Sequence, residues 1–180
     1  MSAARRATLR RIGAALACAL LPVASPARAA ALVTGSGEPS PPLALRDLDG
    51  REVRLDQFRG RTLVLNFWAT WCVPCVKEMP SLQRLRDRLA SDGVAVLLVN
   101  NRESAARIEP FLAKIDIDLP VVRDPDGSAH RTWGVRGFPT TFVISPAQRI
   151  GLVAVGEVDW DDPAVLARIR AVGTRGRVAT

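Results

Sequence analysis

Histidine is almost missing from this chain: His130 is the one instance in 180 residues, and cysteine is scarce at three. Zinc sites draw four ligands mainly from these two residue types. With Cys18 in the N-terminal leader described below, only Cys72, Cys75 and the distant His130 remain, too few for such a site. The spaced acids of a calcium loop are also missing around Asp126-Gly127, which reads as a turn. No apolar run reaches the ~20 residues that span a bilayer. There is no internal repeat and no long low-complexity tract. Tyrosine is absent altogether, and nothing physical accounts for it.

What is present is ordinary globular material, 48% hydrophobic and 24% charged, at a length that suits one domain. The net charge of +7 suggests nucleic acid until the charge is located. Residues 1–29 hold Arg5, Arg6, Arg10, Arg11 and Arg28 and no acid, which leaves 20 basic against 18 acidic residues, a net of +2, in the remainder. Arg84, Arg86, Arg88, Arg168 and Arg170 alternate with apolar residues and acids, as on a solvated helix surface. A nucleic-acid role is therefore not expected.

The N-terminus has the three parts of an export signal. A basic segment from Arg5 to Arg11 precedes an apolar stretch from Ile12 to Ala24, and Ala27-Arg28-Ala29 offers a cleavage site before Ala30. The expected division is a signal peptide or N-terminal anchor over 1–29, a linker over 30–42 and one domain over 43–175. Arg5-Arg6 loosely resembles a twin-arginine signal, and Cys18 a lipoprotein cysteine, but the surrounding residues fit neither well. Export places the protein in the periplasm, where a pair of cysteines is compatible with an oxidising medium.

Along the chain, Thr34 to Pro42 is rich in Gly, Ser and Pro and has little to bury. Leu43 to Leu45 and Val53 to Leu55 flank Asp49-Gly50, a hairpin signal. Thr62 to Ala69 and Val94 to Val99 are apolar β-rich runs, read as strands buried on both faces. Val73 to Ala90 carries Val76, Met79, Leu82, Leu85 and Leu89 at helical spacing, with a kink expected at Pro80. Ser104 caps a second helix to about Ile115, Leu119 to Arg123 is a short strand, and a short helix follows Asp126-Gly127 to Trp133. Thr140 to Ser145 and Arg149 to Val155 form a hairpin. A last helix follows Asp161 or Asp162 and stops before Gly173. Alternating β and α elements with a closing hairpin predict an α/β fold, a mixed central sheet flanked by helices on both faces, with an N-terminal β-hairpin extension.

Cys72-Val73-Pro74-Cys75 falls where the strand over 62–69 turns into a helix. Backbone N–H groups and the helix dipole there stabilise a thiolate and lower the pKa of the first cysteine. Helical spacing brings Cys75 one turn along, within reach of a disulfide, and Pro74 is tolerated in a first turn. A purely structural disulfide closing so small a loop would stabilise little. Free structural thiols would be hard to keep reduced after export. Redox chemistry is the reading these alternatives leave strongest.

Asn66-Phe67-Trp68-Ala69-Thr70-Trp71-Cys72-Val73-Pro74-Cys75 resembles the active-site segment of the thioredoxin superfamily. Lys77-Glu78-Met79-Pro80 is similar to its TlpA/ResA-type exported branch, and Gly137-Phe138-Pro139-Thr140-Thr141-Phe142 to the family's second signature. The resemblance covers roughly 38–172 and implies a thioredoxin-like fold and a thiol–disulfide oxidoreductase. It implies Cys72 as attacking and Cys75 as resolving cysteine, and a cis Pro139 against them. Glu103 takes a proton-handling role, in place of an aspartate absent at Asn66. Trp71, Pro74, Phe138 and Thr140 would contact the substrate, Phe138 by pairing its backbone with an extended segment.

The redox-active disulfide Cys72–Cys75 is then the whole chemical apparatus, with no further cofactor and no metal. The resemblance implies partners of two kinds: cysteine-containing substrate proteins, either apocytochrome c or copper-site proteins, and a membrane thiol-transporting reductase as electron donor. A monomer is expected. A dithiol oxidase or disulfide isomerase shares the same fold and motif, and a non-catalytic partner-binding module competes with both. Nothing resembles a single peroxidatic-cysteine motif. His130, Trp133 and Trp160 read as surface or packing residues.

Overall fold

The computed structural model describes residues 32–177, with side chains over 32–174. The leader expected over 1–29 lies outside the described residues. In chain order the strands are β1 (Val33–Thr34), β2 (Ala44–Asp47), β3 (Glu52–Arg54), β4 (Thr62–Trp68), β5 (Val94–Asn101), β6 (Val121–Asp124), β7 (Thr140–Ile144) and β8 (Ile150–Val155). The helices are α1 (Val73–Leu89), α2 (Ala105–Lys114), α3 (Ser128–Thr132) and α4 (Pro163–Arg177), with a 3-10 turn at Leu55–Phe58.

The eight strands form one sheet in the order β1-β8-β7-β4-β5-β6-β2-β3. β4 is buried along its whole length because the crossovers through α1 and α2 make β4–β5 and β5–β6 parallel and cover the sheet. Side chains alternate between its faces. Val64 and Trp68 join α1, α2 and α4 in one core, with Met79, Leu82, Ile108 and Ile169. Leu63, Leu65 and Phe67 face a second core with Ala129 and Trp133 of the α3 region. Helices thus lie on both faces, as the sequence predicts.

Three details depart from expectation. The 34–42 stretch is not a free linker: Leu32 is buried, β1 pairs with β8, and Gly35 and Gly37 N–H donate to the Gly151 and Ile150 carbonyls at 2.8 and 3.0 Å. The fold therefore begins before Leu43. α4 does not stop at Gly173 but runs to Arg177. A Cβ at Gly173 would sit 2.8 Å from Thr62 Oγ1, so that glycine serves close approach of helix to sheet and not a cap. Ser104 stands at the N-cap of α2 without a side-chain cap hydrogen bond, whereas Asp162 Oδ1 does accept from Ala164 N–H at 2.7 Å. α1 continues through Pro80, and α2 through Pro110.

Candidate active site

The C-terminal end of β4 carries the chain into α1 through Ala69-Thr70-Trp71-Cys72. Cys72 is the N-cap of α1, with φ −85° and ψ 96°, and its Sγ accepts from Cys75 N–H at 3.3 Å. Cys72 and Cys75 are joined by a disulfide with Cα atoms 5.3 Å apart. Cys72 is 5% exposed and Cys75 0%, so only the first is within reach of a partner. The first turn of α1 carries no acid to offset the positive end of the helix dipole. Trp71 and Val73 beside it are 62% and 76% exposed, and Pro74 is exposed on the same turn.

The second signature arrives from the neighbouring strand. The Phe138–Pro139 bond is cis, Pro139 is buried, and Thr140 opens β7 opposite Phe67 of β4. Thr140 Oγ1 donates to the Gly137 carbonyl at 2.7 Å and Gly156 N–H to the Pro139 carbonyl at 2.8 Å, which close the turn from both sides. The half-buried ring of Phe138 meets the Trp71 ring edge-on, with centroids 5.8 Å apart.

Glu103 lies under the same loop. Arg102 at φ 60° turns the chain after β5 so that the carboxylate reaches back. It accepts from Thr70 N–H at 2.8 Å, Thr70 Oγ1 at 2.6 Å, Asn100 Nδ2 at 2.8 Å and Arg107 Nε at 2.7 Å. Burial works to raise this carboxyl, but these donors outweigh it and hold it below the usual carboxylate range. The cluster fixes Thr70, two residues before Cys72.

A second carboxyl belongs to the Lys77-Glu78-Met79-Pro80 segment, to which the sequence reading gives no chemical role. Glu78 is on α1 three residues beyond Cys75, hence on the same helix face, and is 2% exposed. Its oxygens accept from Asn66 Nδ2 at 2.8 Å, Val158 N–H at 3.0 Å and Trp160 Nε1 at 3.2 Å. Burial pushes it up to about 7 against the opposing effect of those donors. The signal was legible: an acid inside the apolar stripe Cys75, Met79, Leu82, Leu85 has to be either paired or neutral. Trp160, expected only to pack, is one of its partners. His130 is half-buried, with its ring 6.3 Å from that of Phe138 and Nδ1 3.5 Å from the fully buried Asp124. Gly127, at φ 72°, leaves room for it. A Cβ there would lie 2.5 Å from His130 Cε1 and 2.6 Å from Arg102 Nε. Gly127→Ala is accordingly expected to cost on the order of 1–3 kcal/mol, read as a lower midpoint in denaturant at unchanged slope.

A mixed sheet of this topology, with a Cys-x-x-Cys pair capping the helix after its central strand and a cis proline opening the adjacent one, defines the thioredoxin-like class. A model described as the AhpC/TSA family matches residues 36–153, and the chain belongs to that family. The thiol-disulfide oxidoreductase ResA of Geobacillus thermodenitrificans (strain NG80-2) is 36% identical over 126 residues, 70% of this chain and 72% of that one. ResA of Bacillus subtilis (strain 168) is 34% identical over 120 residues, 67% of each. Among solved structures, one assigned as thiol:disulfide interchange protein DsbE from Chlorobium tepidum is 31% identical, with TM-score 0.70, covering 77% of this chain and 98% of that one. A secreted thiol-disulfide isomerase from Corynebacterium glutamicum is 28% identical, with TM-score 0.64, over 72% and 84%. With the paired cysteines of the site, these relatives make the protein a thiol–disulfide oxidoreductase.

Proposed function

We propose that the protein works as a reductant of disulfides in partner proteins outside the cytoplasm. The observation that carries this reading is the asymmetry of the pair. Cys72 sits at the helix N-terminus and keeps slight exposure, and Cys75 is sealed beneath it, three residues before a carboxyl raised to about 7. In the reduced protein the Cys72 thiolate attacks a partner disulfide. One partner sulfur leaves as a thiol and the other is held in a mixed disulfide. Cys75 then gives up its proton and attacks Cys72. The partner leaves reduced, and the protein is left oxidised by two electrons, which a reductant must restore.

Two carboxyls divide the supporting work. The resemblance assigns proton handling to Glu103, but four donors keep its charge fixed, which suits it to holding the 69–72 loop. Glu78, one helical turn from Cys75 and close to half-protonated at neutral pH, is better matched to accepting the Cys75 proton. Pro139 completes the cleft beside the pair, and Trp71, Pro74 and Phe138 form the surface that meets the partner, whereas Thr140, expected there, is buried and shapes the turn through its bond to the Gly137 carbonyl. No cofactor beyond the cysteine pair enters the scheme.

The leader over 1–29 supports export to the periplasm, with cleavage before Ala30 or retention as an anchor, ahead of the one thioredoxin-like domain. The partners that fit are cysteine-containing proteins: apocytochrome c, or the copper-site proteins of oxidase assembly. A membrane thiol-transporting reductase resets the pair. The deciding experiment is the reduction potential of Cys72–Cys75, equilibrated against thiol buffers and read by tryptophan fluorescence. A value near thioredoxin's, about −270 mV, is expected. A value near that of the oxidant DsbA, about −120 mV, would make the protein a disulfide donor instead.

A further inference from the structure

Charge is unevenly placed around the cysteine pair. Trp71, Phe138 and His130 stand in a row and, with Val135, Arg136 and Gly137, line an open cavity of about 340 Å³. Four exposed guanidinium groups border this flank: Arg102, Arg107, Arg131 and Arg136. Arg107 Nε stands 3.0 Å from Thr70 Oγ1, next to Trp71. Arg102 and Arg131 converge on the Asp126 carbonyl oxygen at 3.3 and 2.9 Å, beside His130. Arg136 lies on the cavity wall itself.

The acids of the same flank are mostly withdrawn from its surface. Glu103 is held by its four donors, and Asp124 is fully buried and accepts from the Ala129 and His130 amides. Asp126 is the one exposed carboxylate among the described residues named on this flank, and it accepts from Ser128 N–H. Across the pair charges of both signs meet in ion pairs. Lys77 is bound to Glu157 at 2.7 Å, and Asp161, which lies with Asp159 and Asp162 in the loop before α4, is paired with Arg84 and Arg88. A partner approaching Cys72 thus meets arginines on one side and ion-paired charges of both signs on the other.

We propose that the Phe138–Arg136 flank selects partner segments with an aspartate or glutamate beside the disulfide cysteine, the acidic side chain entering the cavity toward Arg136. The proposal rests on the reading of Cys72 as the attacking cysteine. Its physical basis is complementarity at a rim, which acts mainly on encounter and on choice of partner. An anionic membrane or a nucleic acid is disfavoured as occupant. The cavity is concave and aromatic, and the chain beyond residue 29 has a net charge of only +2.

The test compares three short synthetic peptides, each closed by one disulfide and differing only in the residues beside the cysteines: glutamate, glutamine or lysine. The reduced protein is mixed with each, and single-turnover rates are divided by the same protein's rate on the uncharged bis(2-hydroxyethyl) disulfide. At low salt the glutamate peptide is expected to react about tenfold faster than the lysine peptide. The ratio should shrink to about twofold or less near 0.5 M salt, where the screening length falls to a few ångströms. Arg136→Glu is expected to reverse the order. Equal rates for the three peptides, or an order that ignores both salt and Arg136→Glu, would overturn the proposal. So would equal rates together with sedimentation of the protein on anionic phospholipid vesicles. If no disulfide is reduced at all, including the small one, the reading of Cys72 itself fails, which is a separate result.

Discussion

A Cys75→Ser variant is expected to accumulate a covalent complex with a disulfide-bearing partner, linked through Cys72, whereas Cys72→Ser forms none and loses turnover to the level without protein. The two sulfurs share one disulfide, yet their positions differ in every respect that matters for exchange. Cys72 Sγ accepts the Cys75 N–H at the start of a 17-residue helix, where unpaired N–H groups and the dipole favour an anion. A serine hydroxyl in its place ionises far above neutral pH and cannot attack sulfur at a useful rate. Cys75 is 0% exposed and can reach a partner only after Cys72 has brought the mixed disulfide to it. Without its thiol the first exchange proceeds and the second cannot. Non-reducing electrophoresis and intact mass after mixing with a disulfide peptide check this directly. A complex trapped by Cys72→Ser instead would reverse the assignment, and none with either variant would point to a module that binds without exchange.

The parts of this architecture that were legible in the sequence are those written in a short stretch of chain. β4 and β5 are continuous apolar runs, and α1 repeats its apolar residues at helical spacing, so each announces itself locally. The cysteine pair and the Gly-Phe-Pro-Thr turn do the same as motifs. What stayed hidden depends on contacts between distant residues. The 34–42 stretch looks like a linker by composition, but strand pairing uses backbone groups that glycine and serine supply as well as valine does, and its partner β8 lies more than a hundred residues on. His130 becomes a neighbour of Phe138 only through the fold, which brings the two rings to 6.3 Å.

The Glu103 cluster shows the same limit from the other side. The sequence marks an acid after β5, and the structure does place it under the active-site loop. Its chemical character comes from Thr70 and Asn100, which reach it from the ends of β4 and β5, and from Arg107 one helical turn along α2. Two carboxyls, each with several donors, end up with opposite shifts. Glu103 gains a guanidinium and several close donors at a partly solvated position, whereas Glu78 is sealed in the core with neutral donors only. The position of an acid in a motif therefore says less about its role than the charge and wetness of what surrounds it.

That contrast leads to the second large effect, at Glu78. Its carboxyl is raised from 4.5 to about 7 in the folded protein. Between those pH values the folded chain holds a proton that the unfolded chain has released. Stability contributed by this group therefore falls as pH rises through that window, and the full cost is present above about 7. The shift corresponds to roughly 3 kcal/mol. Glu78→Gln removes the titration while keeping a carbonyl oxygen for Val158 N–H and Trp160 Nε1. The buried Asn66 Oδ1, which has no partner, can turn to accept from the new amide. The variant is expected to match the parent in denaturant midpoint near pH 5 and to exceed it near pH 8. Redox chemistry should move the other way. Release of partner from the mixed disulfide needs Glu78 unprotonated, so in the parent its rate rises with pH through about 7. In Glu78→Gln that rise is lost and the step slows by about a hundredfold. Denaturation curves from pH 5 to 8 and rapid-mixing rates of partner release read the two effects independently. Parallel stability curves would place the Glu78 carboxyl near its ordinary value. An unchanged release profile would move the Cys75 proton to another acceptor, with Glu103 the first to examine.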